Sequence, residues 1–170
     1  MDIHGLIVVA ADRFSIQRPL VFAVCEQESS FDPWAWNPEP KYRYLWDILL
    51  GKPFRKLTPE ENASEIPPLD FFSFKGVPAD SEWWGQQASW GPMQVMGAVA
   101  REHGFLGRFL TQLCDPPVGL EYGCRHLAGY LKRFKEPFTA LEAFNGGPGA
   151  VGKNAKYAGE VLARVKNFNV

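Results

Sequence analysis

Apolar residues recur at helical spacing at both ends of the chain and lose that order in between. The opening MDIHGLIVVAADRF has an apolar run but neither a basic leader nor a small-residue cleavage site after it, so it predicts a first helix and not a signal peptide. The segment from Arg18-Pro19 to Asp32-Pro33 predicts a second helix between prolines, the later of which disfavours helical geometry at Asp32. From about residue 31 to about residue 90 the order breaks down. That stretch holds all 6 tryptophans and more than half of the 14 prolines, which rules out long helices there. Within it, Thr58-Pro59-Glu60-Glu61 sets a capping Thr, a Pro at the first helical position and a Glu three residues on, the start of a short helix.

Beyond it the signals become regular again. PMQVMGAVAREHG opens on Pro92 and closes on Gly104, as a short helix should. Asp115 before two prolines caps a longer helix to about Phe134, and a last helix from near Asn154 repeats Tyr157, Val161, Val165 and Phe168 as one buried stripe. The pattern predicts a mainly α chain, a single domain over 1–170 with an irregular aromatic-rich insertion at about 33–88 and enough length to bury a core without disulfides.

Charge and composition remove several function classes. The formal net charge is −1 and no Lys/Arg stripe is present, so nucleic acid is not an expected partner. No apolar run reaches the roughly 18 residues that a membrane span needs. Cys25, Cys114 and Cys124 make an odd count without a CxxC, so no disulfide framework is indicated, although pairing of Cys114 with Cys124 stays open. His4, His103 and His126 are scattered and no HExxH occurs, so neither a metal nor another cofactor is expected. The expected state is a monomer.

One carboxylate stands out. Along the second helix Val21, Val24, Cys25 and Glu28 fall on one face at steps of three and four, so Glu28 prolongs an apolar stripe into the last turn. Desolvation and the negative end of the helix should both raise its pKa, which suits a general acid. Glu26 lies on roughly the opposite face. The plain alternative is that Glu28 only ends a buried helix beside solvent. A Cys25 nucleophile with His103 or His126 as base is the rival chemistry, but the apolar flank of Cys25 would deactivate its thiol.

Three blocks then carry a resemblance. CEQESSFDPWAWNP resembles the Glu-Ser motif of the soluble lytic transglycosylases, glycoside hydrolase family 23, which share a fold with goose-type lysozyme; SWGPMQVMGAVAREHG resembles their Gly-x-Met-Gln motif, and ALEAFNGGPGAV their Ala-Tyr-Asn-Gly motif. The final helix, with Tyr157 and Val161, resembles their terminal helix. Ser89-Trp90-Gly91 and the doubled glycine after Asn145 look most like phage-encoded endolysins. The resemblance implies an α+β lysozyme-like fold with a central buried catalytic helix, and peptidoglycan glycan strands as substrate. It implies Glu28 as the single acid/base, with Ser29, Ser89, Met93, Gln94, Phe144 and Asn145 at the substrate. The bond cut would be the β-1,4 link from N-acetylmuramic acid to N-acetylglucosamine, leaving 1,6-anhydro ends. A phage enzyme of this kind would be made in the cytoplasm and act on the wall in the periplasm or from the virion. A sugar-binding or virion structural module that has lost activity is the non-enzymatic alternative.

Two departures bear on these roles. The family's Tyr before the motif Asn is Phe144, so any hydroxyl contact from that position is absent, and the family's Asn after the Asp-Pro cap is Gly119, whose role the sequence leaves open. A hydrolytic lysozyme would need a second carboxylate to activate water, and Glu82, just before Trp83-Trp84, is the candidate for it; otherwise it is an unmatched surface acid. One or two of the tryptophans are expected to offer flat platforms to sugar rings.

Overall fold

The structure is a computed structural model that describes residues 2–170. Its helices are α1 (Ile3–Arg13), α2 (Arg18–Ser29), α3 (Pro59–Ala63), α4 (Ala79–Gln86), α5 (Gly97–Glu102), α6 (Pro116–Phe134), α7 (Pro137–Gly146) and α8 (Ala155–Val165). Two 3-10 turns, Leu110–Cys114 and Pro148–Ala150, precede α6 and follow α7. The chain is mainly helical and lysozyme-like, as the sequence implies.

The middle of the fold is α2. Every residue from Leu20 to Cys25 is buried. A helix apolar on all sides must be enclosed on all sides. Here α1 and α8 pack against α2, α6 packs on α1, and α7 joins α6 to α8. The helix stops at Ser29, short of Asp32, because Ser30 and Phe31 both turn left-handed, at φ of 52° and 67°.

The insertion is ordered by short elements. Strands β1 (Trp36–Pro38), β4 (Ala88–Trp90) and β5 (Val95–Met96) form an antiparallel sheet in the order β1-β4-β5, with Trp36 opposite Trp90 and Ser89 opposite Met96. Strands β2 (Trp46–Asp47) and β3 (Lys52–Pro53) form a separate hairpin. Leu45, Leu57, Phe71 and Trp83 form a small second apolar cluster, with Phe54 packed against it. The Gln86 side chain ties the hairpin to α4: its Oε1 accepts the Trp46 N–H at 2.7 Å while its Nε2 donates to the Trp46 carbonyl at 3.0 Å. The predicted start of α3 has its full capping box at Thr58 and Glu61.

One predicted helix begins later than its sequence suggests. Pro92 to Met96 are not helical, and α5 starts at Gly97. Gly91 and Gln94 adopt positive φ, 72° and 47°, closing a tight turn that sends Val95 and Met96 back along β4. Pairing with the sheet overrides the helical spacing of this segment.

Candidate active site

Glu28 occupies the last turn of α2, where the apolar stripe of Val21, Val24 and Cys25 is wholly buried. The carboxyl group is itself half-buried and meets the hydroxyl of Tyr157 from α8, which donates to its Oε1 at 2.5 Å. Burial drives the Glu28 pKa up to about 7, and the Tyr157 hydroxyl partly opposes that rise. Among the described residues no Lys or Arg forms an ion pair with Glu28. Burial and the neighbouring carboxyl push Tyr157 far above the usual phenol range, so it remains a proton donor in the hydrogen bond. The group is therefore an acid that holds and releases its proton near neutrality.

The neighbouring Ser29 turns inward. Its hydroxyl lies 2.9 Å from the Pro92 carbonyl and 3.1 Å from the Cys25 carbonyl, so its single proton clasps the end of α2 to the Gly91–Gln94 turn. Gln94 braces that turn from within. Its Oε1 accepts from the Ser89 hydroxyl at 2.9 Å, and its amide donates to the carbonyls of Ala35 and Gly91 at 3.0 and 2.9 Å. Both amide protons are thus engaged, and Gln94 acts on the turn's shape.

The far side of the turn rests on α6. A Cβ at Gly119 would lie 2.4 Å from the Leu113 carbonyl oxygen and 2.8 Å from Pro92, and one at Gly123 would lie 2.5 Å from the Met93 sulfur. Gly119 and Gly123, one helical turn apart, give α6 a flat face on which Pro92 and Met93 lie. The role of Gly119 is this close approach.

Several expected substrate contacts need correction. Met93 is wholly buried, its sulfur 3.8 Å from that of Cys124, so it supports the turn from behind. Ser89 is buried with its hydroxyl on Gln94. Glu82 is neither a free base nor a surface acid: it is 1% exposed and forms a two-pronged ion pair with Arg101, equally buried, at 2.8 Å for each bond. Gln86 donates a further bond to it at 2.9 Å. A carboxylate so held cannot be freed to activate water without stranding a buried guanidinium. Phe144 is half-buried, its ring 5.4 Å from that of His126. Asn145 is exposed, and its Oδ1 accepts from Asn154 at 3.1 Å, which fixes it beside the first turn of α8, the turn that carries Tyr157.

Cys25 meets none of the needs of a nucleophile. It is fully buried, its pKa is pushed well up, and His103 and His126 bond to each other at 3.0 Å. Burial lowers both histidines, His126 to about 3. All three cysteines are free.

The residue that the sequence reading missed is Tyr157. It was legible as one member of an apolar stripe and of the terminal-helix resemblance, with no role at the acid, yet a tyrosine among aliphatic neighbours carries a hydroxyl that must find a partner once buried. The hydroxyl contact of the acid thus comes from α8.

A carboxylic acid kept neutral at the end of a buried helix, in a helical domain with a small antiparallel sheet, is the arrangement of a lysozyme-like glycan-cleaving enzyme. The sequence matches the Transglycosylase SLT domain over residues 5–167, and the chain belongs to that family. It is a lytic transglycosylase that cleaves glycosidic bonds of peptidoglycan and so acts on the bacterial cell wall. No curated relative matches the chain. Among the described residues no helix is long and apolar enough to cross a membrane.

Proposed function

We propose that Glu28 is the only acid/base group of the reaction and that the bond cut is the β-1,4 link between N-acetylmuramic acid and N-acetylglucosamine. In the first step the Glu28 proton passes to the bridging oxygen, which leaves with the bond's electrons as the hydroxyl of N-acetylglucosamine, and positive charge develops at the muramic anomeric carbon. In the second step the Glu28 carboxylate takes the proton of the muramic 6-hydroxyl, whose oxygen bonds to that carbon. A 1,6-anhydro ring closes, no water is consumed, and Glu28 regains its proton. The Tyr157 hydroxyl stabilises the carboxylate between the two steps.

The observation that carries this reading is the difference in pairing between Glu28 and Glu82. Glu28 forms no ion pair among the described residues and gives up its proton only at about pH 7, whereas Glu82, the candidate for activating water, is bound to Arg101. Mass spectrometry of digested peptidoglycan tests it: anhydro-muramic ends are expected, and reducing muramic ends in their place would show a hydrolase.

We propose further that the whole chain is one catalytic domain, active as a monomer, and that it serves as a phage endolysin. Support for the phage role is the resemblance at Ser89-Trp90-Gly91 and at the doubled glycine after Asn145. An endolysin made in the cytoplasm should lyse its cell only after the inner membrane is opened; lysis at full rate with that membrane intact counts against the role.

A further inference from the structure

The sheet has two faces with different contents. Residues opposite one another in antiparallel strands point the same way, so Trp36, Pro38, Ala88 and Trp90 share one face while Asn37, Ser89 and Met96 share the other. Ser89 bonds to Gln94, which places the Glu28-side turn with the second set. The first set lines a pocket of about 410 Å3 closed by α4 and the 3-10 turn before α6. None of Glu28, Ser29, Gln94, Phe144 or Tyr157 contributes to it.

The pocket has the make-up of a saccharide site. Trp36 lies over Trp90 at 5.9 Å and 19°, a flat double-ring wall, and Trp84 and Phe109 stand exposed at the rim. The volume falls within the roughly 300–1,000 Å3 usual for small-ligand sites. Indole faces match the C–H face of a pyranose, and Ser81 and Thr111 are among the few polar residues of a mostly apolar lining. Arg108 also lines the pocket, held over the Phe109 ring at 5.5 Å and donating to the Gly76 carbonyl at 2.9 Å. It forms no ion pair among the described residues. Glu82 reaches the same wall but is neutralised by Arg101, so the uncompensated charge of the pocket is positive.

We propose that this pocket is a second glycan-binding site, which seats a muramic-acid unit of a wall strand against the tryptophans with the carboxylate of its lactyl or peptide branch on Arg108. This rests on peptidoglycan being the substrate. A strand held here and another at Glu28 would keep the enzyme on the wall between cuts.

The test uses the Glu28→Gln protein, to prevent turnover, and two probes: the disaccharide of N-acetylglucosamine and N-acetylmuramic acid with its lactyl carboxylate free, and neutral N,N′-diacetylchitobiose. NMR signals of the Trp36 and Trp84 indoles report the pocket, and those of Tyr157 and Phe144 report the Glu28 site. Saturable shifts at both indoles are expected with each sugar. Arg108→Gln should weaken the acidic disaccharide by about tenfold and the neutral one by less than about twofold, the loss of one charge-assisted pair. Trp84→Ala should weaken both. Shifts at Tyr157 and Phe144 without any at the indoles overturn the second site and leave the peptidoglycan reading standing, whereas silence at all four overturns both. Indole shifts produced by free indole and by neither sugar also overturn it, since the pocket would then take an apolar side chain.

Discussion

Glu28 and Glu82 are the same residue type, each enclosed by apolar structure, and they are put to opposite uses. Glu28 ends a helix with nothing but a phenol hydroxyl to meet it, so its proton stays until about pH 7. Glu82 has Arg101 and Gln86 arranged around both oxygens, and Arg101 in turn donates to the carbonyls of Phe105 and Gly107 at 2.8 and 2.7 Å. Burial alone therefore does not make an acid. What surrounds the two groups differs: burial without an ion pair among the described residues raises the Glu28 pKa, whereas Glu82 faces a buried guanidinium.

The comparison can be broken first at Glu28. Glu28→Gln should fold and lose at least ~10²-fold of wall-lytic rate, the scale of a general acid, while Glu26→Gln, whose carboxylate lies 3.2 Å from Arg164 at the surface of α8, should stay active. Turbidity loss of purified cell walls measures both, and a folded Glu28→Gln protein with substantial lysis would reject the assignment. Next comes Glu82→Gln, which leaves the Arg101 guanidinium buried and unpaired. A loss of about 3–5 kcal/mol in denaturant unfolding is expected, as for other broken buried pairs.

A smaller effect sharpens the contrast through pH. Glu28 titrates near its ordinary 4.5 when unfolded and at about 7 when folded. Between those values the folded chain holds a proton that the unfolded chain has lost, so stability falls as pH rises through this window. The penalty approaches about 3 kcal/mol above pH 7. Glu28→Gln removes the titration, so its gain in melting temperature over the natural chain should be clear at pH 8 and shrink towards pH 5. The smallest effect belongs to Tyr157→Phe. The hydroxyl lowers the Glu28 pKa, so its removal should move the alkaline limb of the pH–rate profile upward. A limb that stays in place would show that Tyr157 does not touch the titrating group.

Much of this was legible in the sequence because it depends on neighbours along the chain. The burial of α2 follows from an unbroken apolar run, the position of Glu28 from helical spacing, and the α3 cap from four consecutive residues. What was illegible depends on partners brought from elsewhere. Arg101 meets Glu82 across 19 positions and Tyr157 meets Glu28 across 129. The motif residues Ser89, Met93 and Gln94 also form the frame of a turn, which spacing could not show, since it records that residues recur together but not which way each side chain faces. The late start of α5 has the same origin: its first residues obey the sheet.

The paired glycines of α6 carry a consequence for how this protein can change over generations. Glycine within a helix costs about 0.5–1 kcal/mol relative to alanine, and Gly119 and Gly123 accept that cost so that Pro92 and Met93 can lie flush. Through the Ser29 clasp, a methyl group gained at Gly119 or Gly123 pushes on the turn that holds the end of α2. The back of the turn is therefore closed to substitution at these two positions.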